Sequence, residues 1–348
     1  MTDMINLNEI NKVLIIQTAF LGDVILTLPL VQVLKKHKPG LQIDFLCIPE
    51  TAGVLKNNPD INEVILYDKR QYKGIGKLFN LTNKLKKNKY DLIISPHRSA
   101  RSTLITYFTS AKYSIAFDNS AFRSLYKIKI PYQKDIHEIQ RNLSLLKPLG
   151  INETQIIKPD IYISETERKK IDEIFLQNNI SSNDKIISIA PGSAWFTKRF
   201  PQEKFLKLIQ SLDNQIKIIL IGGKDDISIG EYLKSNYPDS NLINLIGKLN
   251  ILESAEAIRR SQILITNDSA PLHIGNSVET NVYAIFGSTI PQFGFYPFGK
   301  NDMVFEINGL ACRPCGIHGR TACPLGTLEC MNAIDEKNIA EIINKKFK

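Results

Sequence analysis

Several signatures of phosphate and membrane chemistry are missing from this chain. No Gly-x-Gly-x-x-Gly follows any apolar run, so the dinucleotide fingerprint is absent. There is no Walker lysine loop either. No Asp-x-Asp occurs, so the usual carboxylate pair for a nucleotide-bound Mg²⁺ is lacking. No apolar run approaches the roughly 20 residues that cross a bilayer. The opening MTDMINLNEINK carries acids and no apolar core ahead of a cleavage site, which predicts no signal peptide and a cytoplasmic protein. No solenoid repeat or low-complexity tract is visible.

What is present is ordinary in bulk and unusual in detail. A chain of 348 residues exceeds one compact core, so two domains are expected. Apolar residues make up 43% and charged ones 23%, as in a globular protein. The net charge of +9 favours an anionic partner: nucleic acid, a phosphorylated substrate or an acidic membrane face. Solvated lysine faces such as NKLKKNKY are the plainer explanation of the same excess. A basic metal-knuckle protein that binds nucleic acid is the reading from another class. Against it, the basic residues are not interleaved with aromatics and no nucleic-acid module is legible.

Short apolar runs alternate with helix-length amphipathic segments, which predicts parallel strands in open α/β sheets. In the first block the strands are KVLIIQ, LQIDFLCI, EVILYD and YDLIISP, with a further helix over 135–149. The stretch 150–164 reads as a linker. In the second block five strand-then-turn units follow: KIISIAPGS, QIKIILIGG, NLINLIG, SQILITNDSA and NVYAIFGS. The expected organisation is a domain over 1–160 and a second over 161–334. A terminal helix, 335–348, is expected to pack back on the first domain. Ligands of doubly wound sheets sit beyond the carboxyl ends of the strands, so the loops after the strands are where chemistry belongs.

TNDSAPLHIGNSV places Asp268, Ser269 and Ala270 at the start of a helix, with Pro271 in its first turn. Such an end offers free N–H groups to a phosphate; equally, Asp268 or Ser269 caps its own helix. His273 is a donor contact or a satisfied histidine on the helix face. In APGSAWFTKRFP, Ser193, Thr197 and Lys198 suit a diphosphate, with a basic loop as the alternative. Asp225 and Asp226 in IGGKDD are candidates for ribose hydroxyls or exposed acids at a helix start. In the first block TAFLGDVILTLPL holds one acid, Asp23, directly after a glycine. It is a helix cap or a general base for a substrate hydroxyl. With a diphosphate site in the second block, a lone carboxylate in the first is what an inverting sugar transfer requires. SPHRSARST gathers His97, Arg98 and Arg101, suited to an anionic acceptor or to a solvated turn. His137 and Arg141, four apart on one helix face, are candidates for the same patch.

LGDVILTLPL, HEIQRNLSLL, APGSAWFTKRFP, LIGGKDD, NLIGKLNILESAEAI and TNDSAPLHIGNS occur in this order along almost the whole chain. Together they make the chain resemble the bacterial lipopolysaccharide heptosyltransferases, which use ADP-heptose and have the GT-B fold. The wording lies nearer the second heptosyltransferase of the core than the first. The resemblance implies two Rossmann-like doubly wound domains facing across a cleft. It also implies Asp23 as catalytic base opposite Lys198, Asp226 and Asp268. Lys198 would contact the donor phosphates, Asp268 the donor sugar, and Ser269 and Ala270 the phosphate at the helix end. Asp226 would take the ribose, with Asp225 its rival. Arg98 and Arg101 would meet the lipopolysaccharide inner-core acceptor at the anionic inner membrane face. Nucleic acid is not an expected partner. No cofactor is implied for catalysis. The family usually has glycine where Ala270 stands, and tryptophan is common where Phe200 stands. A GT-B enzyme using another nucleotide-sugar or acceptor is the nearer alternative.

Cys312, Cys315, Cys323 and Cys330 cluster in CRPCGIHGRTACPLGTLEC within the loop 310–332. A Cys-x2-Cys opening in a reduced compartment favours structural zinc, then iron. Some relatives of the family that modify proteins carry cysteine-bound iron in this region. Reduced cysteines packing a loop, or a redox-labile pair, are the alternative.

Overall fold

The computed structural model describes residues 4–68 and 75–348. The first three residues of the polar opening and 69–74 lie outside the described residues. The chain divides into two units, Met1–Tyr162 and Ile163–Lys348.

The first unit holds strands β1 (Lys12–Ile16), β2 (Gln42–Cys47), β3 (Glu63–Leu66), β4 (Leu92–Ser95), β5 (Tyr113–Phe117) and β6 (Ile128–Ile130). The second holds β7 (Lys185–Ala190), β8 (Ile216–Leu220), β9 (Leu242–Asn244), β10 (Ile263–Asn267), β11 (Asn281–Phe286) and β12 (Met303–Glu306). The sheet orders are β3-β2-β1-β4-β5-β6 and β12-β11-β10-β7-β8-β9, with neighbours parallel throughout. Central strands are buried on both faces, as helix-covered parallel sheets require: Val13–Ile16 of β1 and all of β10 are out of water.

Each order reverses once, between β1 and β4 in the first sheet and between β7 and β10 in the second. At such a switch point consecutive connections leave in opposite directions and a crevice opens at the strand ends. The loops and helix starts after β1, β4, β7 and β10 are therefore the candidate binding regions. They carry Asp23, Arg98, Lys198 and Asp268 respectively.

Three strands escape the sequence reading: β5, β6 and β12. Of these, β6 and β12 are edge strands of three and four residues, and none of β12 is fully buried. The helix expected over 135–149 is shorter, Glu138–Ser144, followed by a 3-10 turn at Lys147–Leu149. Pro148 has no N–H with which to continue it. The terminal helix, Glu336–Phe347, is a correction. Its Ile339, Ala340 and Ile343 belong to the core of the second unit with Phe205 and Leu208, and Lys204 pairs with Glu336 at 2.6 Å. The amphipathic stripe is real; its partner is the helix Gln202–Gln210 of the same unit.

Candidate functional site

In the second unit the loops at the switch point are tied by Asn267, the last residue of β10. Its amide donates to Pro191 O at 2.8 Å and Gly192 O at 3.3 Å, and its Oδ1 accepts the Phe200 N–H at 3.0 Å. The side chain is fully buried, so each of these bonds is made out of water, where an unmade one would be costly. This bracing holds Lys198 beside the next residue, Asp268: Nζ lies 2.6 Å from Oδ2. Thr289, after β11, donates to the same oxygen at 2.6 Å.

Ser269 is the N-cap of the helix Ala270–Ser277, yet its side chain makes no capping bond. Pro271 has no N–H and the Leu272 N–H donates to Ser269 O at 3.1 Å, so the Ala270 N–H is the donor that this start offers an outside acceptor. Ser193 is buried, and its Oγ has no hydrogen-bond partner among the described residues. A buried hydroxyl without a partner, a lysine and an uncapped helix start at one pair of strand ends suit an anion with several oxygens.

Asp226 and Asp225 separate cleanly. Asp225 is exposed. Asp226 accepts the Gly223 N–H at 3.0 Å and lies so close to Gly192 that a Cβ there would sit 2.1 Å from its Oδ1. Burial pushes the Asp226 carboxyl above its usual range; the Gly223 N–H and Arg199 oppose that. Only Asp226 borders the loop that carries Ser193. The Thr197 hydroxyl donates to Ser288 Oγ at 2.9 Å and accepts the Arg320 N–H at 2.8 Å. His273 is buried in its helix with its ring toward Phe295, 6.4 Å between centroids.

In the first unit Asp23 is the third residue of the helix Leu21–His37, and its Oδ2 accepts the Phe20 N–H at 3.2 Å. The capping role is therefore genuine. Thr27 Oγ1 donates to Asp23 O at 2.7 Å, and Gln17 from the end of β1 donates to Thr27 Oγ1 at 3.2 Å. Asn142 donates to Leu26 O at 3.0 Å, which joins the HEIQRNLSLL and LGDVILTLPL stretches physically. His97, after β4, has Nδ1 2.8 Å from Thr18 Oγ1 and 3.2 Å from Ser102 Oγ. The Arg98 guanidinium stacks on the Tyr132 ring at 4.2 Å. Arg101 is exposed beside the Tyr67 hydroxyl.

His137 and Arg141 are both buried, and Arg141 reaches the Tyr132 ring that Arg98 stacks on, 5.1 Å from its centroid. His137 is buried and caps its helix, Nδ1 accepting the Ile139 N–H at 3.3 Å. Arg141 is buried against Glu138 at 2.5 Å and donates to Gln133 O and Lys134 O. Sequence reading missed Glu138, Tyr132, Asn267 and Thr289. Asn267 alone left a signal, as the polar residue closing a strand and preceding an acid.

Burial pushes the Glu138 carboxyl up to about 7; Arg141 pulls it back and the Asp23 carboxylate adds to the rise. The unfolded carboxyl titrates near 4.5. Between those values the folded chain keeps a proton that the unfolded chain has released, so this group lowers stability as pH rises through that window. Glu138→Gln should remove that component. Urea midpoints of the two proteins, compared from pH 4.5 to 7, should diverge; parallel curves would refute the assignment.

The metal expectation at the cysteines is corrected. All four thiols line one cavity of about 240 Å³ with Arg313 and Arg320. Among the described residues, however, no group of three or more His, Cys, Asp or Glu is arranged to hold a metal ion. The sulfurs are turned to other tasks: Cys315 Sγ donates to Cys312 O at 3.1 Å, and Cys323 Sγ accepts the Leu328 N–H at 3.4 Å. Cys330 belongs to the second unit's core, and burial pushes its thiol up to about 11. Structural zinc or iron therefore has no support among the described residues.

The family described as "Glycosyltransferase family 9 (heptosyltransferase)" matches residues 78–322. Lipopolysaccharide heptosyltransferase 3 of Escherichia coli is 28% identical over 82% of this chain and 86% of its own. The glycosyl transferase family 9 structure from Veillonella parvula DSM 2008 aligns over 98% of both chains with a TM-score of 0.85 and 23% identity. The E. coli ADP-heptose lps heptosyltransferase II aligns over 95% of this chain and 99% of its own, with a TM-score of 0.73 and 22% identity. The two six-stranded parallel sheets are thus the GT-B architecture. Among the described residues no helix is long and apolar enough to cross a membrane.

Proposed function

Because the chain belongs to glycosyltransferase family 9, the heptosyltransferases, we propose that it moves heptose from ADP-heptose to the lipopolysaccharide inner core in one inverting displacement. Asp23 is the general base. It takes the proton of the acceptor hydroxyl, and that oxygen bonds to the anomeric carbon. The bond from that carbon to the diphosphate breaks on the opposite face, and ADP leaves with the electron pair.

The observation that carries this reading is the arrangement at the second switch point: Lys198, the uncapped start of Ala270–Ser277 and the unpartnered Ser193 hydroxyl. These supply positive charge and donors to the leaving diphosphate, the part a divalent cation takes in enzymes with an Asp-x-Asp pair, so transfer needs no metal. Asp268 directs Oδ2 to Lys198 and Thr289, which leaves Oδ1 for a sugar hydroxyl. Asp226 binds the ribose, and Thr197 and His273 shape the donor pocket. Arg98 and Arg101 receive an anionic group of the acceptor. The net charge of +9 draws the protein to the anionic inner face of the cytoplasmic membrane.

The test is a panel of ADP-, UDP- and GDP-sugars offered with a heptose-deficient core acceptor, without added metal and with EDTA. A mass gain of one heptose with ADP-heptose alone is expected. Transfer from another nucleotide-sugar, or loss of transfer in EDTA, would overturn the corresponding part of the reading.

A further inference from the structure

We propose that the cysteine-rich segment after β12 is a positioning element for Lys198, acting through Gly319 and Arg320. The inference rests on the donor-phosphate reading of Lys198.

The segment is fastened at one end to the turn after β11. Arg313 donates to Gly287 O at 2.6 Å and Thr289 O at 2.7 Å, and pairs with Glu306 at 2.5 Å. The Cys315 N–H donates to Ser288 O at 2.9 Å. At its other end it reaches the loop after β7. The Thr197 N–H donates to Arg320 O at 3.1 Å, and the Arg320 N–H returns a bond to Thr197 Oγ1 at 2.8 Å. Since β10 lies between β11 and β7, the segment links the two loops that flank Asp268.

Gly319 lies against the stem of Lys198. A Cβ there would meet Lys198 Cγ at 2.9 Å, Cδ at 3.2 Å and Thr197 Oγ1 at 3.2 Å, and φ is +80°. The stem has no slack, because its far end is held 2.6 Å from Asp268. A lysine in water samples many rotamers. Here the Gly319 backbone is a floor under the near end and Asp268 a stop at the far end, so the ammonium is aimed before the donor arrives.

Gly319→Ala would push the stem off that floor. ADP affinity, read by calorimetry on the full chain, should weaken about tenfold. Gly309→Ala is the matched control: φ is +81° and nothing lies within 4 Å of the added Cβ. It carries the same backbone strain and should leave ADP affinity unchanged. In a Lys198→Ala background, Gly319→Ala should cost no further affinity, a result that general loosening of the fold would not produce. Unchanged affinity in Gly319→Ala, or an equal loss with Lys198 already removed, overturns the inference. If Lys198→Ala alone leaves ADP binding intact, the donor-phosphate reading is what has failed. Should Gly319→Ala not fold, Arg320→Ala serves, since it removes the Nε bond to Cys315 O at 3.0 Å without adding atoms. A loss of about threefold is then expected, again absent without Lys198.

Discussion

Asp23→Asn should lower the rate of heptosyl transfer by roughly 100- to 10,000-fold while ADP binds as before. The substitution is chosen for what it keeps. An asparagine oxygen still accepts the Phe20 N–H that Asp23 Oδ2 accepts now, so the helix start stays capped and stability should move by less than about 1 kcal/mol. It also relieves the neighbouring Glu138 of a like charge, which opposes any destabilisation. What it removes is the ability to take a proton. The loss should therefore appear in kcat, with the donor KM little changed, because the missing interaction is one that develops only as the hydroxyl is deprotonated. Asp23→Ala separates the two roles. It should show the same kinetic loss plus about 1 kcal/mol of stability from the vacated cap. Turnover of Asp23→Asn within a fewfold of the unaltered protein would reduce Asp23 to the cap that the structure shows.

The fold was legible because parallel sheets write their strands as uninterrupted apolar runs: VLII of β1 and all of ILITN in β10 are buried. It failed at the short edge strands β6 and β12, and at β5, which is as buried as β1 but whose YSIAF run is broken by Ser114. The terminal helix was legible as a helix and misplaced as a neighbour, because its stripe says that it packs and not on what. At the sites, the residues that contact ligand in the proposed reading come from strand-end loops, where small, hydroxylic and charged types mark themselves. The residues that hold them do not. Asn267 and Thr289 bond to neighbours distant in sequence or on another strand, and no spacing rule announces such partners. Cys-x2-Cys spacing constrains the backbone and not the ligand geometry: the four thiols line one cavity, yet no three ligands among the described residues are arranged for a metal. The Cys315 and Cys323 sulfurs bond within their own loop, and Cys330 lies in the core.

Lys198→Ala should weaken ADP binding about 10- to 100-fold, the worth of one charge-assisted contact to a diphosphate. The same change leaves Asp268, which is mostly buried, with Thr289 as its remaining bond. Breaking a buried pair from one side destabilises, so a fall in melting temperature is expected as well, and a loss of affinity alone does not separate ligand contact from damage. Asp268→Asn makes that separation. It keeps a side-chain oxygen for Thr289 and removes the negative charge beside Lys198. If Lys198 serves the diphosphate, freeing it from Asp268 should hold ADP affinity steady or raise it, since a carboxylate near an incoming anion opposes binding. Heptose transfer should still fall, because the sugar loses its contact with Oδ1. Of the two variants only Lys198→Ala should therefore weaken ADP binding, while both should lower turnover. Equal weakening of ADP by both would mean that the pair is only a brace between the loops after β7 and β10, and that the diphosphate is held elsewhere.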